Sequence, residues 1–351
     1  MQKATAETTI SLTSPQALLG AFIDHMRDDH GMVFHVAEDG AHSFENDGYR
    51  IEIQPKDLAL RILLEAPSES DMRFSKEGIV HHVGEFDAIA AQSIRWKNER
   101  AEVGTTPENF RLLTVVKSEL LFEGMQRVTL HYPDIAELQE RGIHLRLILP
   151  NDTSRAPLWP LMGENGAPVW PTGDDTLHAR YVTLKNIRPD LEEVDIDIVH
   201  HDNGLISHWA QNACTGQLVG AMGPTGKDHL PVAKSYFIAA DGTGLPAVAQ
   251  LLSQLPKDAT GHVIVALPDA VKCADYLPQS GLTYHALRPH EFEGEILELA
   301  RQLTLKGETG YAFFAGEFTN AQSLRGHFKK ELGLDKTTQI SAAYWRRETC
   351  K

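Results

Sequence analysis

KSYFIAADGTGLPAVAQLLSQL, residues 234–255, reads as an apolar run, a glycine-containing turn and an amphipathic helical stretch. Three more apolar runs follow: GHVIVAL (261–267), LTYHAL (282–287) and GYAFFAG (310–316). Between them lie the helical patterns FEGEILELARQL (292–303) and NAQSLRGHFKKEL (320–332). Such runs belong to strands covered on both faces, and their alternation with helices predicts a doubly wound parallel sheet over residues 231–351. Ligands of these sheets sit at the carboxyl ends of the strands. That rule points to Asp241, Gly242, Thr243 and Gly244 after the first strand, and to Gly316 and Glu317 after a later one. Glycine admits a phosphate close to the backbone, and a helix N-terminus favours negative charge. The full GxGxxG fingerprint is absent, so the first motif alone fits a plain strand-to-helix turn equally well. A second glycine-containing strand end on the same rim favours a nucleotide site.

Upstream, over residues 106–230, the rhythm is different. RLLTVVKSELL (111–121), MQRVTLHY (125–132), HLRLILP (144–150), ARYVTLKNI (179–187), EVDIDIVHH (193–201) and GQLVGAMGP (216–224) are short strand-like runs with turns between them. They predict a small antiparallel barrel. On the 179–187 strand, Arg180, Val182 and Leu184 share one face, and Tyr181, Thr183 and Lys185 share the other. Residues 151–173 are rich in proline and glycine and carry Trp159 and Trp170, which suggests a loop held by aromatic contacts.

Residues 1–105 read as a separate small α+β domain. Ser14-Pro15 is a helix start, with Leu18, Leu19, Phe22 and Met26 on one face. MVFHV, YRIEI and LALRILLEA read as strands, and a second helix follows Ser68. The unit resembles a small bacterial domain of unknown function. His25, His30, His35, His42, His81 and His82 match no metal-ligand spacing and read as scattered surface or core histidines.

VHHDNGLISHWA (199–210) also suggests a metal site. The alternating strand before it puts His200 and His201 on opposite faces, however, and His208 falls within the following helix. The better reading is strand, turn and helix N-terminus. In it Gly204 opens the turn, Ser207 and free N–H groups face a phosphate, and Trp209 packs behind. His200 then flanks a cofactor, and His201 and His208 are solvated. No metal ligands are assigned.

The net charge of -15 argues against nucleic acid. Cys214, Cys273 and Cys350 form neither a disulfide framework nor a metal motif, and no apolar run approaches a membrane span. A cytoplasmic monomer is the expectation, with no membrane partner.

HLRLILP (144–150), the R-x-x-T strand, VDIDIVHHDNGLISHWA (194–210) with its Gly-x-x-Ser-x-Trp-Ala helix start, GAMGP (220–224), DGTGLPAV (241–248), AGE (315–317) and the terminal YWRR (344–347) occur in this order. Together they resemble the ferredoxin-reductase superfamily, and within it the siderophore-interacting proteins, which are ferric-siderophore reductases. The resemblance spans residues 108–348 and implies an FAD-binding barrel and an NADH- or NADPH-binding sheet. It implies hydride transfer to the flavin, then single electrons passed to Fe(III) to release ferrous iron, with no general base. By position, Arg180 meets flavin phosphate and Thr183 the ring region. Val182 stands where the family's R-x-Y-T has tyrosine, and Lys185 joins the cofactor-binding set. Tyr344 and Trp345 are candidates to cover the ring, and Arg346, Arg347 and Lys227 to meet an anionic siderophore. Two other readings stay open: a flavin reductase with a protein or free-flavin acceptor, and a non-catalytic siderophore- or haem-binding protein.

Overall fold

The computed structural model describes residues 3–46, 48–99, 102–139, 142–201, 204–226, 230–268, 271–303 and 310–347. They form two compact units, 1–108 with 152–176, and 109–151 with 177–351. No helix among the described residues is long and apolar enough to cross a membrane.

The first unit contains β1 (Ala4–Ser11), α1 (Pro15–Asp28), β2 (His35–Val36), β3 (His42–Asn46), β4 (Tyr49–Lys56), β5 (Ala59–Ala66), α2 (Glu69–Phe86) and α3 (Ala88–Ser93). Its antiparallel sheet runs β1-β5-β4-β3-β2. Alternating residues such as Ile10, Ile53, Ile62 and Leu64 bury one sheet face against Leu19 and Phe22 of α1 and Met72 and Ile79 of α2. Ser14, expected to cap α1, makes no side-chain capping bond, and Pro15 at the first helical position starts it.

In the second unit, β6 (Phe110–Phe122), β7 (Met125–His131) and β8 (His144–Pro150) begin a barrel. The chain then returns to the first unit for the hairpin β9 (Leu161–Met162) and β10 (Pro168–Val169). There Trp96, not a tryptophan of the loop itself, lies on Gly166 and donates its indole N–H to Asn165 O at 2.9 Å. The barrel resumes with β11 (Leu177–Arg188), β12 (Glu193–Val199), α4 (Leu205–Asn212) and β13 (Leu218–Thr225). It closes in the order β11-β12-β7-β6-β13-β8 around Leu113, Val128, Leu147, Leu184 and Ile196, with Ile206 and Trp209 of α4 packed on the same core.

The same unit continues with β14 (Ser235–Ala240), α5 (Leu245–Leu252), β15 (Thr260–Ala266), α6 (Cys273–Tyr276), β16 (Thr283–Leu287), α7 (Pro289–Gln302), β17 (Gly310–Glu317), α8 (Phe318–Lys330) and β18 (Gln339–Trp345). All neighbours in the sheet β16-β15-β14-β17-β18 are parallel. α5 packs on one face, with Ile238 and Val263; α7 and α8 pack on the other, with Phe237 and Phe314. The doubly wound arrangement is as expected. Its strand order reverses between β14 and β17, so the carboxyl ends of those two strands flank the switch point where such sheets bind ligands.

Candidate functional site

The outer face of the barrel at β8 and β11 carries polar and aromatic groups in cross-strand register. Tyr181 pairs with Arg146 and Thr183 with His144. Leu145, Leu147, Val182 and Leu184, alternating with them, fill the interior. Tyr181 is 58% exposed and its hydroxyl accepts from Arg146 Nη2 at 2.9 Å. The Arg146 guanidinium also lies 5.3 Å from the Tyr181 ring centre.

Val182, placed by sequence at the ring-stacking position, is only 7% exposed and belongs to the barrel core. A strand residue on the inner face offers no surface to a ligand outside, so the aromatic face here is that of Tyr181. Arg180 is exposed at the barrel edge and donates to its neighbour Ala179 O. Lys185 is buried under the Tyr276 ring, its Nζ 4.3 Å from the ring centre. It joins a charge network in which Arg127 and Tyr276 both donate to Asp197, so it braces the barrel against α6 and is covered from solvent.

Thr183 is buried, with Oγ1 3.2 Å from His144 Nδ1. His144 Nε2 in turn is 3.2 Å from the Tyr344 hydroxyl. Burial pushes the His144 imidazole down to about 4, so it stays neutral at ordinary pH. Tyr344 and Trp345 end β18 pointing in opposite directions. Tyr344 reaches the barrel face, and Trp345 donates its indole N–H to Asp241 Oδ2 at 2.7 Å at the switch point.

Asp241 organises that rim. Its carboxylate accepts from Thr243 N at 2.8 Å, Thr243 Oγ1 at 2.5 Å and Glu317 N at 2.9 Å as well as from Trp345. Of the N–H groups at this rim, those of Thr243 and Glu317 therefore already serve an anion of the protein. A phosphate in the same place would meet like charge. Gly244 and Gly316 are required by packing: a Cβ on Gly244 would lie 2.5 Å from Ala315 O, and one on Gly316 2.6 Å from Asp241 Oδ2. Gly242 lies beside Val199 of the barrel, where a Cβ would be 3.3 Å from that side chain. Burial alone would raise Glu317, but N–H donors of Arg347, Thr319 and Asn320 outweigh it and hold the carboxyl below its ordinary range.

At the start of α4, Gly204 is the N-cap. Ser207 is fully buried and accepts from His201 N at 3.0 Å, so it ties the turn together and does not face outward. The first-turn N–H groups of the helix, which have no intrahelical acceptor, are the donors left for an anion. His200 Nε2 and Trp209 Nε1 are buried without a hydrogen-bond partner. His201 and His208 are exposed, as expected. Arg347 pairs with Glu293 at 2.7 Å, and Arg346 lies over the Phe318 ring at 3.6 Å. Lys227, like the Asp202-Asn203 part of the turn, lies outside the described residues.

Sequence reasoning passed over Arg146, His144 and Asp241's role as an acceptor. Alternation in HLRLILP puts His144 and Arg146 on one face, a signal that was available; their pairing with β11 is not local. An FAD fits these features: an exposed aromatic face beside Arg146, a helix N-terminus, and the orphaned buried His200 Nε2.

Comparison with known proteins bears on the same residues. The model of the siderophore-interacting FAD-binding domain matches residues 114–228, and that of the siderophore-interacting protein matches 233–348. The NADPH-dependent ferric-chelate reductase of Escherichia coli is 30% identical over 244 residues, covering 67% of this chain and 92% of the relative. The ferric vibriobactin reductase ViuB of Vibrio cholerae is 27% identical over 245 residues, covering 68% and 89%. The crystal structure of the siderophore-interacting protein SipS from Aeromonas hydrophila covers 69% of this chain and 93% of its own, with TM-score 0.56 and 26% identity. A siderophore utilization protein from T. fusca covers 72% and 98%, with TM-score 0.54 and 27% identity.

Proposed function

This chain belongs to the siderophore-interacting protein family, and on that footing we propose that it passes electrons from NAD(P)H through FAD to a ferric siderophore. The observation that carries the reading is the outer barrel face of Tyr181, Arg146, Thr183 and His144, met by Tyr344 from the end of the nucleotide-type sheet. FAD, when bound, supplies the exchange between a two-electron donor and a one-electron acceptor.

The chain's own residues bind and orient. Tyr181 presents its ring face, as flat aromatic systems favour. Arg146 supplies positive charge beside it, exposed Arg180 is left to meet a flavin phosphate, and the N-terminus of α4 supplies N–H donors to a pyrophosphate. Thr183, neutral His144 and Tyr344 form a hydrogen-bonded chain that holds the edge of the site. The Trp345–Asp241 bond fixes the end of β18, so that Tyr344 faces the barrel.

For an anionic siderophore, Arg346 is the better of the two terminal arginines, because Glu293 already neutralises Arg347. Free Cys214 and Cys273 are in keeping with a reducing compartment, and the cytoplasm is the setting proposed. An absorbance spectrum of the purified protein, followed by anaerobic titration with NADH and then NADPH, tests the cofactor assignment. Stoichiometric flavin bleached by one of the two donors is expected. A colourless protein that binds neither FAD nor nicotinamide overturns it.

A further inference from the structure

In the first unit the fold gathers histidines that lie far apart in sequence. His25 lies near the end of α1, His30 in the turn beyond it, and His82 and Glu85 on α2, which packs against α1. His25 Nε2 stands 3.1 Å from His82 Nδ1, 3.2 Å from His30 Nε2 and 3.2 Å from Glu85 Oε2. His82 Nδ1 stands 3.0 Å from the same Glu85 oxygen.

An imidazole nitrogen carries either one hydrogen or one in-plane lone pair. By hydrogen bonding, His25 Nε2 serves one of its three neighbours; a cation among the imidazoles serves the three histidines together. With metal–ligand bonds of about 2.0–2.1 Å, ligand atoms of a tetrahedral site lie roughly 3.3 Å apart. The four separations above are close to that edge length, and the ligand atoms of all three histidines lie within 4.8 Å of one another.

The surroundings add a second, independent indication. His25 Nδ1 is 2.9 Å from Asp29 Oδ2. Donation of Nδ1–H to that carboxylate leaves the lone pair on Nε2, the atom that faces the cluster, as outer carboxylates do for metal-bound histidines. His81, next in sequence, is exposed and 3.9 Å from Glu85 Oε1.

We propose that His25, His30 and His82 form a site for a divalent first-row transition-metal ion, with Asp29 orienting His25 and the Glu85 carboxylate beside His25 and His82. Three imidazoles suit zinc, ferrous iron or cobalt and not magnesium or calcium, which take oxygen ligands. The site is separate from the electron-transfer reading and is tested without it.

Cobalt(II) is the probe, because its visible absorbance reports a nitrogen-rich tetrahedral site directly. Untagged full-length protein, stripped with a chelator, should bind one equivalent with saturating absorbance. His82→Ala should abolish the signal, His30→Ala weaken binding at least tenfold, and Asp29→Asn weaken it about 10–100-fold. A His262→Ala/His285→Ala double variant should bind as before, that pair being another close imidazole contact at 3.0 Å. Zinc(II) should raise the melting temperature of the wild type but not of His82→Ala, since a ligand held only by the folded chain stabilises it. His30 is exposed, so its removal leaves the packing intact, and circular dichroism checks each variant. No stoichiometric cobalt binding by the wild type overturns the proposal, as does equal binding by wild type, His30→Ala and His82→Ala.

Discussion

Tyr181 and Val182 are neighbours in the chain, and strand geometry sends them to opposite sides of the barrel wall. Their substitutions should therefore separate cleanly. Tyr181→Ala should weaken FAD binding by about tenfold, the value of one aromatic stacking contact, with the melting temperature little changed. Val182→Ala should cost about 2 kcal/mol of stability through the cavity it leaves in the core, with flavin content unchanged. Fluorescence titration with FAD and thermal melts distinguish the two. The alternation that makes the distinction was readable in sequence; the resemblance, aligned on Arg180 and Thr183, put Val182 at the tyrosine position and left Tyr344 and Trp345 as candidates to cover the ring. His144 gives a pH prediction. The folded chain keeps it neutral down to about 4, whereas the unfolded chain takes up a proton below the ordinary value of 6.5. Acidification through that window therefore favours unfolding, by about 1–2 kcal/mol once its partial exposure is discounted. Melting curves of the wild type should fall between pH 6.5 and 4 more steeply than those of His144→Gln. Parallel curves would show that His144 is not held neutral.

The turn between β14 and α5 shows how far one element can be read from its letters. Strand, turn and helix were all legible in KSYFIAADGTGLPAVAQLLSQL, because apolar period and glycine placement are local. What the turn does was not, because its partners Ala315, Glu317 and Trp345 come from β17 and β18. Gly244→Ala should destabilise the protein by about 1–3 kcal/mol, since the new methyl meets the backbone of β17. A melting temperature equal to wild type would contradict that packing. β1 escaped sequence reading for a related reason. Its buried positions include Ala4, Ala6 and Thr8, whose small or polar side chains give little apolar contrast with the residues between them. Only pairing with β5 reveals the period of two.

At the scale of the whole chain, the barrel followed by a parallel sheet was legible, because each has its own strand rhythm and the order of motifs is distinctive. The return of residues 152–176 to the first unit was not, because Trp96 and Gly166 are seventy positions apart. The histidine cluster was hidden likewise: His25 and His82 meet only once α1 and α2 pack. The first unit also lies largely outside the regions matched by the family models, which begin at residue 114. Its chemistry must be read from its own side chains. For the second unit, the decisive measurement is anaerobic mixing of the FAD-loaded protein with NADH or NADPH and a ferric siderophore, with a ferrous chelator present. Bleaching of the flavin absorbance followed by stoichiometric ferrous chelate, dependent on the nicotinamide donor, is the predicted result. Flavin that is bleached while no ferrous chelate forms would contradict the ferric-siderophore reductase reading and favour a different electron acceptor.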